Sequence, residues 1–163
     1  MFRIIKSVPK CLFGRGSFNQ LSDLLEEKRT NSDSWFVFLI DDYFKDKPLA
    51  KRIPLKGNDF IIWVNVDDEP KTTIVDKIRD QIKNAGKILT SAVIGIGGGS
   101  VLDYAKAVSV MLTNDGSSSL YQGLNLANNQ GVYHIGIPTL SGTVAEVSMT
   151  AVLTGPEKKL GIK

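Results

Sequence analysis

An open, mainly parallel α/β sheet with flanking helices is the fold this sequence predicts, and three observations carry the prediction. Apolar runs of strand length alternate along the chain with segments of helical periodicity, the pattern of strand–helix–strand units. The runs WFVFLI, FIIWVNV and SAVIGI are continuous rather than alternating, as in strands covered on both faces. The third run leads into four glycines within five positions, Gly95, Gly97, Gly98 and Gly99, directly before a helical pattern.

Taken in order, FRII and KCLFG flank Pro9 and predict an N-terminal strand pair. SFNQLSDLLEEKR predicts a helix with Ser17 as N-cap and Leu21, Leu24 and Leu25 on one face. WFVFLI predicts a buried strand that ends at Asp41-Asp42. The basic segment KDKPLAKRIPLKG reads as a solvated connection to a second buried strand, FIIWVNV. KTTIVDKIRDQIKNAG predicts a helix, with Ile74, Ile78 and Ile82 at four-residue spacing and Gly86 closing it. SAVIGI is the next strand and SVLDYAKAVSVMLT the next helix, and YHIGI and MTAVLT complete the strand set. There is no internal repeat, and DGSSS at 115–119 is too short for a domain linker. Residues 1–163 therefore read as one domain.

Composition narrows the class. Of 163 residues, 42% are hydrophobic and 23% charged, as in a soluble globular protein with a real core. A net charge of +3 gives no reason to expect nucleic acid or a membrane surface as partner. Cys11 is the only cysteine, so no internal disulfide forms and a reducing, cytoplasmic setting is expected. No apolar run nears the ~20 residues of a spanning helix.

The glycine-rich bend carries the chemistry. Ser100 is expected to cap the following helix, with Asp103 three residues on, as in a capping box. Glycines let the chain turn tightly and leave N–H groups uncovered beside a helix N-terminus, a place that attracts phosphate. The bland alternative is a glycine turn with no ligand. A P-loop is excluded, because no Gly-Lys-Ser/Thr follows. The ordinary dinucleotide fingerprint is also incomplete: its third glycine is replaced by Ser100, and the acidic strand end, Asp41-Asp42, lies upstream. A second small-residue bend, GIPTLSGTVAE, follows the strand YHIGI, and Thr139, Ser141 and Thr143 are expected to line the same crevice. His134, the only histidine, falls in a predicted buried strand and reads as structural.

These blocks resemble one family. GGGSVLDYAKA is similar to the Gly-Gly-Gly-Ser-x-x-Asp-x-Ala-Lys signature of iron-containing (group III) alcohol dehydrogenases. IPTLSGTVAEVS resembles that family's Pro-Thr-x-x-Gly-Thr-x-x-Glu block, and AVLTGPEKKLGIK the strand that follows it. The order and intervals agree over essentially the whole chain. Within the family, WVNVDDEPKT, MLTN, YQGLNL and HIGIPT look most like the branch that oxidises the terminal alcohol of 3-deoxy-D-manno-octulosonate, an eight-carbon acidic sugar of lipopolysaccharide.

The resemblance implies a dinucleotide-binding domain and a cofactor, NAD. Gly97, Gly98, Gly99 and Ser100 would hold the pyrophosphate, and Asp41 the adenosine ribose, where a carboxylate disfavours the 2′-phosphate of NADP. Thr139, Leu140 and Thr143 would lie along the cofactor, with Val152 and Lys159 near the nicotinamide half. Two departures stand out: Glu69-Pro70 where relatives carry Asn-Pro, and Val144 where glycine is common. Relatives also have a second, helical domain with an aspartate and three histidines that hold a divalent metal, iron or zinc. The resemblance implies that those ligands lie beyond Lys163, that this chain contains no metal or catalytic residue of its own, and that by itself it is inactive. The implied partners are a small alcohol or sugar-acid substrate, with room for a homodimer. The alternative is a non-catalytic nucleotide-binding or interaction module left by truncation.

Overall fold

A computed structural model describes residues 8–86 and 88–162. Four strands form its central sheet: β1 (Phe36–Asp41), β2 (Phe60–Val64), β3 (Ala92–Gly97) and β4 (Tyr133–Pro138). All pair in parallel in the order β2-β1-β3-β4. Three helices accompany them, α1 (Leu21–Glu26), α2 (Thr72–Ala85) and α3 (Gly99–Met111). An antiparallel hairpin, β5 (Ala151–Thr154) with β6 (Lys159–Ile162), lies apart from the sheet.

Two-residue alternation divides the core between the two faces of the sheet. Val37, Leu39, Ile62, Val64 and Val93 pack with Val75, Ile78 and Ile82 of α2 and with Val101, Ala105, Val108 and Met111 of α3. Phe36, Phe38, Ile40, Ala92, Ile94 and Ile96 pack with Leu21 and Leu25 of α1 and with Ile53. β1 and β3 are thus covered on both faces, which explains their unbroken apolar sequences. β2 is an edge strand and only Ile62 and Val64 are buried, so FIIWVNV is half-covered rather than fully buried.

The order of the strands fixes where a crevice opens. The chain runs from β1 to β2 on one side, then crosses through α2 to β3 on the other. The switch therefore falls between the carboxyl ends of β1 and β3, where ligands collect in sheets of this kind. The two residues there are Asp41 and Gly97, the last of their strands.

Three local expectations need correction. Residues 10–14 form no strand, and FRII lies outside the described residues. Ser17 is not an N-cap: a 3-10 turn over Ser17–Gln20 starts behind Gly16, whose left-handed backbone (φ 85°) takes the cap position, and α1 is only six residues long. His134 is exposed, because β4 forms the other edge of the sheet. Partial burial of its ring, and then the Lys106 ammonium, push its pKa down and keep it neutral at pH 7.

Leu39 is completely buried between the sheet and the two long helices. Replacing it with alanine should lower stability by about 3 kcal/mol. The check is a fall in the urea midpoint with an unchanged slope; an unchanged midpoint would mean that this face of the sheet is not a close-packed core.

Candidate functional site

Each glycine at the end of β3 has a different reason to be there. A Cβ on Gly95 would stand 2.7 Å from Ala105 Cβ, and one on Gly97 would stand 2.7 Å from Val101 Cγ2. Both leave room for α3 to lie close against the strand. A Cβ on Gly97 would also come within 3.2 Å of Asp41 Cβ, so Asp41 and the bend adjoin. Gly98 differs from both. Its backbone is extended (φ −76°, ψ −175°), a conformation open to any residue, and a Cβ there would meet only Leu140 Cδ1 at an ordinary 3.6 Å. Neither packing nor backbone requires glycine at 98. On Gly99 a Cβ would press on Thr143, 2.8 Å from both Oγ1 and Cγ2.

These contacts bring the two bends together. Leu140 lies over Gly98 and Thr143 against Gly99, and the Thr139 N–H donates to the Gly97 carbonyl at 2.9 Å. Gly97, Gly98, Gly99, Ser100, Thr139, Leu140, Thr143 and Asp41 form one neighbourhood at the switch point. Asp41 also caps the 3-10 turn Asp42–Phe44, accepting from the Tyr43 N–H at 3.0 Å through Oδ1. Among the described residues its Oδ2 accepts no hydrogen bond.

The start of α3 is open. Gly98, not Ser100, occupies the N-cap position, and no side chain caps the helix. The first backbone bond of the helix runs from the Leu102 N–H to the Gly98 carbonyl, which leaves the N–H groups of Gly99, Ser100 and Val101 without helical partners. Asp103 does not close a capping box. It pairs with Lys106 at 2.7 Å and accepts from the Val152 N–H at 3.1 Å. What the arrangement offers is a positive helix end with bare donors, next to a carboxylate at the neighbouring strand end.

Val152 and Lys159 sit elsewhere, on the β5–β6 hairpin. The hairpin rests on α3 through Val152 and on the segment entering α2 through Thr154, whose N–H donates to the Pro70 carbonyl at 2.7 Å. Buried Gln122 holds it from beneath, donating from Nε2 to the carbonyls of Leu153 (2.8 Å) and Leu160 (3.2 Å). The Lys159 ammonium pairs with Glu69. That ammonium holds the Glu69 carboxyl below the usual glutamate range. The pair is thus intact at neutral pH and is lost only as pH falls through the lowered value.

Sequence reasoning missed Lys106. It is 6% exposed, in a helix whose residues 101, 102, 104, 105, 107 and 108 are all buried. A helix apolar nearly all round must be enclosed, so a lysine within it needs partners, and that was the available signal.

Both the sheet with its switch-point crevice and the paired small-residue bends belong to a class of cofactor-type α/β domains. The particular family follows from comparison: the family model for iron-containing alcohol dehydrogenase matches residues 9–163, and the chain belongs to that family. The sulfoacetaldehyde reductase of Bilophila wadsworthia is 31% identical over 150 residues, covering 90% of this chain and 38% of that protein. The crystal structure of sulfoacetaldehyde reductase from Bifidobacterium kashiwanohense in complex with NAD+ superposes with a TM-score of 0.77 at 26% identity, over 91% of this chain and 39% of that one. NADH-dependent butanol dehydrogenase A of Thermotoga maritima shares the fold, with a TM-score of 0.81 at 21% identity over 100% of this chain and 41% of that one. The chain thus spans about two fifths of the length of these relatives. The family's description implies iron. Among the described residues no group of three or more His, Cys, Asp and Glu side chains is placed to hold a metal ion, so iron does not fit the residues described.

Val144 takes a left-handed backbone (φ 56°) and is 54% exposed. A β-branched residue is strained there. Val144→Gly should raise stability by about 1 kcal/mol. Thermal unfolding reads this directly, and a lowered midpoint would mean that the valine side chain makes a contact worth more than the strain.

Proposed function

We propose that this chain is the cofactor-binding part of an NAD-dependent alcohol or aldehyde oxidoreductase. One observation carries the reading. Gly98 needs no glycine for its backbone or packing, yet it leaves bare chain beside the uncapped N–H groups of α3. A pyrophosphate would use that space and those donors.

In this reading Gly97, Gly98, Gly99 and Ser100 hold the pyrophosphate. Asp41 accepts from the hydroxyls of the adenosine ribose and repels a 2′-phosphate, which favours NAD over NADP. Thr139, Leu140 and Thr143 form the facing wall, and Val152 and Lys159 lie toward the nicotinamide half. The NAD+ bound to the Bifidobacterium relative supports the choice of cofactor. The work of this chain is to bind and orient the dinucleotide, and none of its residues is given a catalytic role.

The substrate class is a primary alcohol or the matching aldehyde. Within it, the terminal hydroxyl of 3-deoxy-D-manno-octulosonate is the particular substrate to test, on the resemblance carried by WVNVDDEPKT, MLTN, YQGLNL and HIGIPT. An oxidoreductase containing this chain should form NADH faster with this sugar acid than with butanol or isethionate; equal or slower turnover would reject the substrate while leaving the class intact.

Calorimetry tests the cofactor site. Gly98→Val should abolish NAD binding while lowering stability by no more than the roughly 1 kcal/mol that a poorer N-cap residue costs. Asp41→Ala should narrow the preference for NAD over NADP by about tenfold. Unchanged NAD affinity in Gly98→Val would mean that the bend serves only the turn.

A further inference from the structure

We propose that Asp103 and Lys106 form a clamp that fixes the second bend against the first, which makes both of them positioning residues for the cofactor crevice. The proposal rests on reading that crevice as the NAD site.

The clamp begins with a buried charge. A buried ammonium is costly unless it is paired and hydrogen-bonded. Lys106 Nζ has three donors and three partners: Asp103 Oδ1 at 2.7 Å, the Thr150 carbonyl at 2.6 Å and the Ala145 carbonyl at 3.1 Å. Its donors are thereby engaged, so Lys106 acts on the crevice through backbone rather than by touching a ligand. Asp103 extends the device, since its Oδ2 accepts from the Val152 N–H at 3.1 Å. One ion pair, one turn apart on α3, therefore holds the chain at 145, 150 and 152.

Residues 140–144, which precede the points it holds, have little else to fix them. Thr139 is tied to Gly97, but residues 140–144 are exposed. They include Gly142 and Val144, both with positive φ (142° and 56°). The remaining bonds within 143–150 are short-range ones: the Ala145 N–H to Thr143 Oγ1 at 3.4 Å, the Val147 N–H to the Val144 carbonyl at 3.2 Å, the Thr150 N–H to Ser148 Oγ at 3.1 Å and the Ser148 hydroxyl to the Thr150 carbonyl at 3.2 Å. Thr143 stands so near Gly99 that a single methyl would not fit between them. The width of the crevice is thus the position of this loop, and the loop is moored to the helix whose first turn forms the opposite wall. The Asp and Lys of the signature GGGSVLDYAK gain a physical role: the glycines open the first wall and the ion pair sets the second.

Two measurements on the full chain test the clamp, amide hydrogen exchange and calorimetric NAD affinity. Lys106→Met should speed exchange across residues 139–152 while amides of β1 and β3 keep their protection. NAD affinity should fall about fivefold or more. Asp103→Asn should act in the same place and more weakly. In a Cys11→Ser background, Lys106→Cys should behave like Lys106→Met, and aminoethylation of that cysteine, which rebuilds an ammonium at nearly the same reach, should restore both loop protection and affinity. Unchanged loop exchange in Lys106→Met, or loss of protection spread evenly over the sheet, would overturn the proposal. If Lys106→Met fails to fold, Asp103→Asn decides by the same criterion. If the unaltered chain binds no NAD, the reading of the crevice fails, and the exchange data still decide whether the clamp exists.

Discussion

Everything at the candidate site depends on how closely α3 approaches β3. Gly95 and Gly97 present no side chain to the helix, and any Cβ at either position would collide with Ala105 or Val101. Their absence lets the first turn of α3 descend onto the strand end, so that strand, bend and helix N-terminus are separated by a single residue, Gly98. A larger residue at 95 or 97 would lift the helix and carry the open N–H groups away from Asp41.

The same approach places the second bend. β4 pairs with β3 through Gly97↔Pro138, so the chain leaves both strands side by side. Thr139 then bonds back to Gly97, and Leu140 and Thr143 fold over Gly98 and Gly99. Parallel pairing, close helix packing and a buried ion pair thus act on one small volume. The hairpin that carries Val152 and Lys159 is tied to this volume through Asp103 and to the segment entering α2 through Glu69.

Much of the fold was legible because burial on both faces writes itself into sequence. WFVFLI and SAVIGI are unbroken apolar runs, and they are the two central strands. FIIWVNV looked equally buried, yet it is an edge; a short apolar run does not reveal how many neighbours its strand has. Both expected serine caps failed for one reason. Gly16 and Gly98 stand one or two residues earlier and take the cap position, which moves Ser17 and Ser100 into the first turn. The glycine bend and its threonine-rich partner were legible as motifs. That they touch was an expectation from topology, and the contacts of Leu140 and Thr143 bear it out. The engagement of Lys106 with two carbonyls some forty residues away was not readable, since sequence spacing carries no information about long-range backbone partners. Only the apolar surroundings of that lysine hinted at it.

The central claim is that the uncapped start of α3 receives a dinucleotide pyrophosphate. Backbone amide shifts followed by NMR during titration with NAD test it most directly. The account predicts that the largest saturable shifts fall on Gly98, Gly99, Ser100 and Val101, with smaller ones at Leu140 and Thr143 across the crevice. Saturable shifts that leave the Gly99–Val101 amides unmoved would contradict it.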